Sequence, residues 1–210
     1  MDRRRPTIAI RGRSGQRPYA GCVTTTLRRR LVSAAVDLTL AHGWAQVTMS
    51  RLAAEVGVSR QTVYNEIGTK SALAEAMILS ELERFMAVVT EAFDHQPDDL
   101  VAAIEEATRR VLELAQGNDL LKAVVSATHG ADTELLPLLT THSEPLLAVA
   151  KQVVAERVSA YPVPLDPDRL DAAIDVVVRV VLSHVMQPSA SPAETAAALA
   201  WISSRVLRHP

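Results

Sequence analysis

A chain of 210 residues is long enough to bury a sizeable core in one or two small domains. Hydrophobic residues make up 48% of it but aromatics only 3%, so Ala, Leu and Val must fill the interior, a composition that favours packed helices over sheets. The single cysteine, Cys22, excludes an internal disulfide framework and a multi-cysteine zinc site. No apolar run reaches the roughly 18 residues of a membrane span, and residues 1–22 lack the continuous apolar centre of a secretory signal, so a cytoplasmic protein is expected. The net charge of −2 is unevenly spread: residues 1–70 hold 12 Lys/Arg against 4 Asp/Glu, and residues 71–210 hold 10 against 20. A basic front end on an acidic body points to a polyanionic partner at one end only.

The chain opens with an arm, residues 1–22, in which Arg3, Arg4, Arg5, Arg11, Arg13 and Arg17 are mixed with Gly and Pro. Such a mixture cannot form a core and reads as disordered. It is either a solvated tail or an arm that follows DNA phosphates. A first helix is predicted from about Thr26 to His42, with Leu27, Leu31, Ala34, Ala35 and Leu38 as its buried stripe. Arg28, Arg29 and Arg30 then crowd its first turn, where the helix dipole disfavours cations by roughly 0.3–1 kcal/mol each. Their placement makes sense if a phosphate backbone passes the helix end. Lys70 repeats this pattern at the start of the fourth helix.

Between them lies T-M-S-R-L-A-A-E-V-G-V-S-R-Q-T-V-Y-N-E-I-G-T-K, residues 48–70. Met49, Leu52, Ala53 and Val56 fall at helical spacing, and Val63 and Ile67 repeat it. Thr48 and Ser59 sit where N-caps belong, and Gly57 where the first of these helices must stop. Val47 with Leu52, and Val58 with Val63, form hydrophobic staples at the two caps. Two short helices joined by a tight turn make a helix-turn-helix, whose second helix can enter a DNA major groove. Its exposed positions, Arg60, Gln61, Thr62, Tyr64 and Asn65, can all hydrogen-bond.

The remainder, residues 70–210, reads as helices. The fourth, about Lys70 to Asp94, carries Leu73, Met77, Leu82, Phe85, Met86, Val89 and Phe93 inward and spans roughly 36 Å. Asp98 to about Gln116 follows, with Leu100, Ile104, Ala107, Val111 and Leu114 inward. Shorter pieces are expected around Leu120–Ala127 and Thr133–Thr141, then a longer helix from about Glu144 to Ser159. Asp166-Pro167 opens the next helix with a cap and a proline at its first position. Its run 176–185 is apolar on nearly every side, which suits a helix held between its own body and something else. Ser191-Pro192-Ala193-Glu194 is a capping box opening the last helix. These two helices are read as a two-fold dimer interface, with Val177, Val181, Ala197 and Trp201 in it. Asp175 and Arg179, four apart, are expected to pair.

His129, His142 and His184 stand singly, and no cluster has metal-ligand spacing, so neither a metal nor a cofactor is expected. Ser126, Thr128 and His129 near Asp132 read as helix-end caps, and with no glycine-rich phosphate loop the chain is not expected to be an enzyme.

His42-Gly43-Trp44, Val47-Thr48 and the run L-A-A-E-V-G-V-S-R-Q-T-V-Y-N-E-I-G-T-K-S-A-L together resemble the DNA-binding domain of the TetR family of bacterial regulators, over about residues 26–80. The resemblance implies an all-α protein, with a three-helix DNA-binding domain over residues 23–69 and a helical ligand-binding and dimerisation domain over 70–210. It further implies a homodimeric repressor on a palindromic double-stranded operator. Carried over by position, Thr48, Tyr64 and Lys70 contact phosphates, Arg60, Gln61, Thr62 and Asn65 face the groove, and Ser59, the cap beside them, is counted with Arg28, Arg29 and Arg30 among the DNA-binding residues. Ile67 departs from the family, which usually has an aromatic there. So does Asn65-Glu66, where many members carry histidines, and Glu66 is expected to turn away from DNA.

The body is rich in Leu, Val, Met and Ala, which points to an apolar, fatty-acyl-like effector, with Ile104, Thr108, Val111, Val178 and Leu182 as candidate contacts. The form of residues 58–70 is also similar to actinobacterial members near alkane and lipid genes. Two alternatives stay open: a helical protein-interaction module, and a DNA-binding regulator without ligand control.

Overall fold

The computed structural model describes residues 20–126, 135–140 and 143–208. The basic arm up to residue 19, Thr128, His129, Asp132 and His142 lie outside the described residues. The described residues form ten α-helices and a 3₁₀ turn. The first four are α1 (Ala20–His42), α2 (Met49–Val56), α3 (Arg60–Ile67) and α4 (Lys70–His95), with the 3₁₀ turn at Trp44–Gln46. Then come α5 (Leu100–Gly117), α6 (Asp119–Ser126), the short α7 (Leu136–Leu139), α8 (Glu144–Val158), α9 (Pro167–Met186) and α10 (Pro192–Arg208).

Where a helix begins is mostly a matter of local chemistry. The side-chain oxygens of Thr48, Ser59, Thr69, Asp99 and Asp166 each accept a backbone N–H from the first turn of the helix that follows, which removes one of the orphan donors of that turn. The capping box forms as its spacing predicts. Ser191 donates its backbone N–H (3.0 Å) and its hydroxyl (2.7 Å) to Glu194, whose own N–H reaches Ser191 Oγ at 3.3 Å. Gly57 ends α2 at φ 74°, ψ 38°, the left-handed conformation that a Cβ makes costly.

One beginning differs from expectation. α1 is already helical at Ala20, the first described residue and six residues before Thr26. Arg28, Arg29 and Arg30 therefore lie more than two turns inside the helix, not in its first turn. The dipole argument for a phosphate at that helix end loses its basis, and these arginines need another account.

Two hydrophobic clusters hold the molecule together. The first joins Leu31, Ala35 and Leu38 of α1 to Trp44, Val47, Leu52, Val63 and Ile67, and takes in the start of α4. It also includes Leu120 and Val124 of α6, so the helix-turn-helix core continues into the body. The second lies toward the far end of α4 and contains Val89, Phe93, Ala103, Ala107, Val111 and Tyr161. Tyr161, in the segment joining α8 to α9, meets Phe93 edge-on and places its hydroxyl 2.8 Å from the Gln96 carbonyl. α5 is sandwiched between α4 and α10, while α8 packs on α4 and α9. No helix among the described residues is long and apolar enough to cross a membrane.

Candidate nucleic-acid interface and the cavity behind it

α3 owes its position to Val63 and Ile67, both buried against α1, α2 and α4. Ile67, which stands where the family usually has an aromatic, is 5% exposed and fills that site. With these two residues turned inward, the opposite face of the helix meets solvent. Arg60, Gln61, Tyr64 and Asn65 are exposed there, and Thr62 is half-buried.

Hydrogen bonds order this face before any ligand arrives. Ser59 Oγ accepts the Thr62 N–H and lies 2.8 Å from the Thr62 hydroxyl. Gln61 Nε2 donates to Asn65 Oδ1 at 2.8 Å, one helical turn on. That bond leaves Gln61 Oε1 as an acceptor and Asn65 Nδ2 as a donor, the pair needed to meet the N6 amine and N7 of adenine. Thr48 accepts the Arg51 N–H and keeps its hydroxyl hydrogen for another acceptor.

The cations behave differently from what their positions in the sequence suggest. Arg28 donates to the Glu66 carbonyl at 2.8 Å, and Arg30 to the Val56 carbonyl at 3.0 Å. Both acceptors belong to the last turn of a helix, α3 and α2 respectively, where carbonyls lack an intrahelical partner and the dipole is negative. Two residues of α1, two positions apart, thus tie down the C-termini of both helices of the reading unit. Arg29, between them, is exposed. Lys70 donates to the Trp44 carbonyl at 3.1 Å, and its ammonium lies 4.7 Å from the Trp44 ring centre, a cation–π arrangement. An ammonium has three donors, so this leaves Lys70 able to reach a second acceptor. Glu66 is half-buried.

Behind this unit the body holds an apolar cavity of about 170 Å³ that is partly open to solvent. Ile104, Thr108, Val111, Val178 and Leu182 all line it. So do Val177 and Val181, which the sequence reading assigned to the dimer face. The outer face near α9 and α10 instead presents Val176, Trp201, Ile202 and Val206, with Val176 58% and Trp201 61% exposed. Ala197 is exposed on α10 as well. The run 176–185 is apolar nearly all round, so periodicity could not tell its cavity side from its outer side. Asp175 and Arg179 pair at 2.7 Å, and Lys151 joins them at 3.3 Å from Asp175. Arg179 is not among the lining residues.

Sequence reasoning missed Glu81 and Asn118. Both line the cavity, and Asn118 Nδ2 donates to Glu81 Oε2 at 2.6 Å. Asn118 is 7% exposed and its Oδ1 accepts the Leu121 N–H at 2.8 Å, capping α6. A helical period marks Glu81 only as polar, and its partner stands 37 residues away, beyond the reach of local pattern. Among the described residues no group of three or more His, Cys, Asp or Glu could hold a metal ion.

Comparison with known proteins agrees with both halves of this architecture. Residues 31–77 match the bacterial regulatory proteins of the tetR family, and residues 99–205 match the C-terminal domain of the bacterial tetracyclin repressor. The HTH-type transcriptional regulator AlkX of Mycobacterium tuberculosis is 28% identical over 183 residues, covering 87% of this chain and 86% of that protein. The TetR family repressor AlkX from Dietzia sp. strain DQ12-45-1b, implicated in biodegradation of n-alkanes, superposes with a TM-score of 0.70 at 27% identity, covering 85% of this chain and 96% of that one. FadR from Bacillus subtilis, solved in complex with stearoyl-CoA, shares the fold with a TM-score of 0.53 at 14% identity, covering 83% and 96% of the two chains.

Proposed function

We propose that this chain, which belongs to the TetR family of bacterial regulatory proteins, is a ligand-released repressor. It is a DNA-binding transcriptional regulator and not an enzyme. In our reading it works in the cytoplasm as a homodimer on a palindromic operator, and leaves the DNA when a small hydrophobic, fatty-acyl-like molecule fills the body. The observation that carries the ligand half is the cavity, bounded almost wholly by aliphatic and aromatic side chains. Its volume of about 170 Å³ has room for roughly six water- or methylene-sized groups at about 30 Å³ each. The likeness to a repressor implicated in n-alkane biodegradation supports a chain-like effector.

On the DNA side, each chemical role has a residue suited to it. Arg60 binds a guanine through O6 and N7, and the Gln61–Asn65 pair binds an adenine, each contact discriminating by roughly 1–3 kcal/mol. Thr48, Tyr64 and Lys70 take phosphates and set register and salt dependence without choosing sequence. By linkage the effector binds the DNA-incompetent arrangement more tightly, and operator DNA weakens effector binding by the same factor.

The test of recognition is the ratio of operator to random-DNA affinity after Arg60→Ala and Gln61→Ala, with the operator found by footprinting upstream of the protein's own gene. The ratio is expected to fall by about tenfold or more. An unchanged ratio overturns the reading. Steep salt dependence together with preference for one palindrome also eliminates a protein-interaction module that merely binds acidic partners.

A further inference from the structure

The cavity is apolar but not featureless, and its polar exceptions are informative. Among its described lining residues only Glu81, Thr108 and Asn118 carry polar side chains, and none is a cation. The segments 127–134 and 141–142 contain neither lysine nor arginine. Arg84 is 61% exposed and pairs with Glu81 at 3.0 Å from outside the lining. Arg110, Lys122 and Lys151 pair with Glu91, Asp119 and Asp171.

Glu81 is the decisive group. Its Oε2 accepts from Asn118 and from Arg84, and its Oε1 accepts from Arg84 at 3.1 Å. A carboxylate offers about four acceptor positions, so one remains, on Oε1. Beside it, Asn118 Nδ2 carries a second N–H, a neutral donor. A head group that donates to Glu81 and accepts from a neutral donor completes this set. A carboxylate head would instead set a negative charge against the Glu81 oxygens, whose one cation, Arg84, is already paired with them and lies outside the lining, and a charge that enters an apolar space without a partner is disfavoured.

We infer that the effector is a long-chain molecule with a hydrogen-bond-donating head that carries no negative charge, of which a primary alcohol is the simplest form. Glu81 is the residue that selects it against the fatty acid of the same length. This rests on the reading of the cavity as the effector site. Asn118 gives the selection a route to the rest of the molecule, because the amide that shares Glu81 with the head group also caps α6, and α6 packs on α1 of the DNA-binding domain.

The test uses the full-length protein at pH 8, where unperturbed histidines are neutral. Binding of 1-dodecanol, dodecanoate, 1-methoxydodecane and dodecane is measured by calorimetry below their micelle concentrations. Dodecanol is expected to bind at least about tenfold more tightly than each of the other three, since both a lost hydrogen bond and a misplaced charge act on this scale. In Glu81→Gln, an isosteric change, the preference over dodecanoate is expected to shrink below about threefold. Dodecanoate binding as tightly as dodecanol overturns the inference and leaves the apolar effector site standing. So does 1-methoxydodecane or dodecane matching the alcohol, or a preference over dodecanoate that survives Glu81→Gln unchanged. Failure of all four to bind overturns the effector site itself.

Discussion

Arg28 and Arg30 admit two incompatible accounts, and one pair of variants decides between them. As phosphate contacts they contribute nothing to the free protein. As ties on the last carbonyls of α3 and α2, at 2.8 and 3.0 Å, they contribute to stability without DNA. Replacing each with methionine keeps much of the apolar stem and removes the guanidinium. A hydrogen bond at the exposed end of a helix, with the dipole term added, contributes about 0.5–1 kcal/mol. The two ties end on different helices, so the double variant loses about 1–2 kcal/mol if they add. For a chain of this length that lowers Tm by about 3–6 °C, measured at fixed protein concentration and without ligand so that linkage does not intrude. The companion measurement is the salt dependence of operator binding, in which each lost phosphate contact reduces the slope by about 0.9. The structure predicts a lower Tm with a nearly unchanged slope. An unchanged Tm with a slope reduced by nearly two refutes the reasoning and restores the arginines to the DNA.

Gly57 and Gly68 make a second comparison. A Cβ at either meets nothing within 4 Å, yet Gly68 holds φ 91°, ψ −98° while Gly57 holds φ 74°, ψ 38°. Gly57→Ala is expected to cost about 1 kcal/mol and Gly68→Ala about 2–3 kcal/mol, and equal losses in urea unfolding would show that strain is not the cause. Stability is expected to fall in acid. Glu106 is held below its ordinary pKa of 4.5 by hydrogen bonds from His95 and Gln96, Asp175 below 3.8 by Arg179 and Lys151, and Glu194 below 4.5 by Ser191. A lowered folded-state value means stabilisation that is complete above the unfolded value and lost as pH falls through the folded one. Glu106→Gln should therefore be less stable than the parent at pH 7 and flatter below pH 4.5, and parallel acid limbs would contradict the assignment. Trp201→Glu on the exposed face near Ile202 and Val206 is expected to sediment as a monomer and to lose operator affinity by about 100-fold or more, as two linked half-sites become one. A dimer that persists moves the interface elsewhere.

Much of this molecule was legible in its sequence wherever the deciding interaction is local. Thr48, Ser59, Thr69, Asp166 and Ser191 announce helix starts because the cap and the N–H it satisfies are only two or three residues apart. The buried stripe of the reading unit, Leu52, Val63 and Ile67, follows from helical period alone. That α1 is already helical at Ala20 was not legible, since Thr24, Thr25 and Thr26 mimic a later cap. The tasks of Arg28 and Arg30 were hidden for another reason. Their acceptors lie 38 and 26 residues away, and a carbonyl at the end of a helix leaves no mark on sequence. The cavity was half legible. Its apolar members fall on helical faces, whereas Glu81 and Asn118 become a pair only when α4 and the α5–α6 junction meet.

The cavity lies on the seam between the two cores. Ile78, Leu120 and Val124 on one side of it belong to the cluster that holds α1, and Val89, Ile104 and Val111 on the other side border or belong to the distal cluster. A chain that fills the seam is expected to change how the two clusters sit together, and α1 carries the ties to α2 and α3. The size of the effect needed sets a bound on the effector. Moving a two-state equilibrium from 99:1 to 1:99 requires a differential affinity of about 5.5 kcal/mol. An apolar chain obtains about 0.8 kcal/mol from each methylene it buries, so about seven methylenes must be buried in the released state and not in the DNA-bound one. The cavity's 170 Å³ holds roughly six such groups at about 30 Å³ each, so a chain of about that length fills it. A short chain would therefore occupy the site without emptying the operator, and release should rise steeply as chains lengthen past about seven carbons.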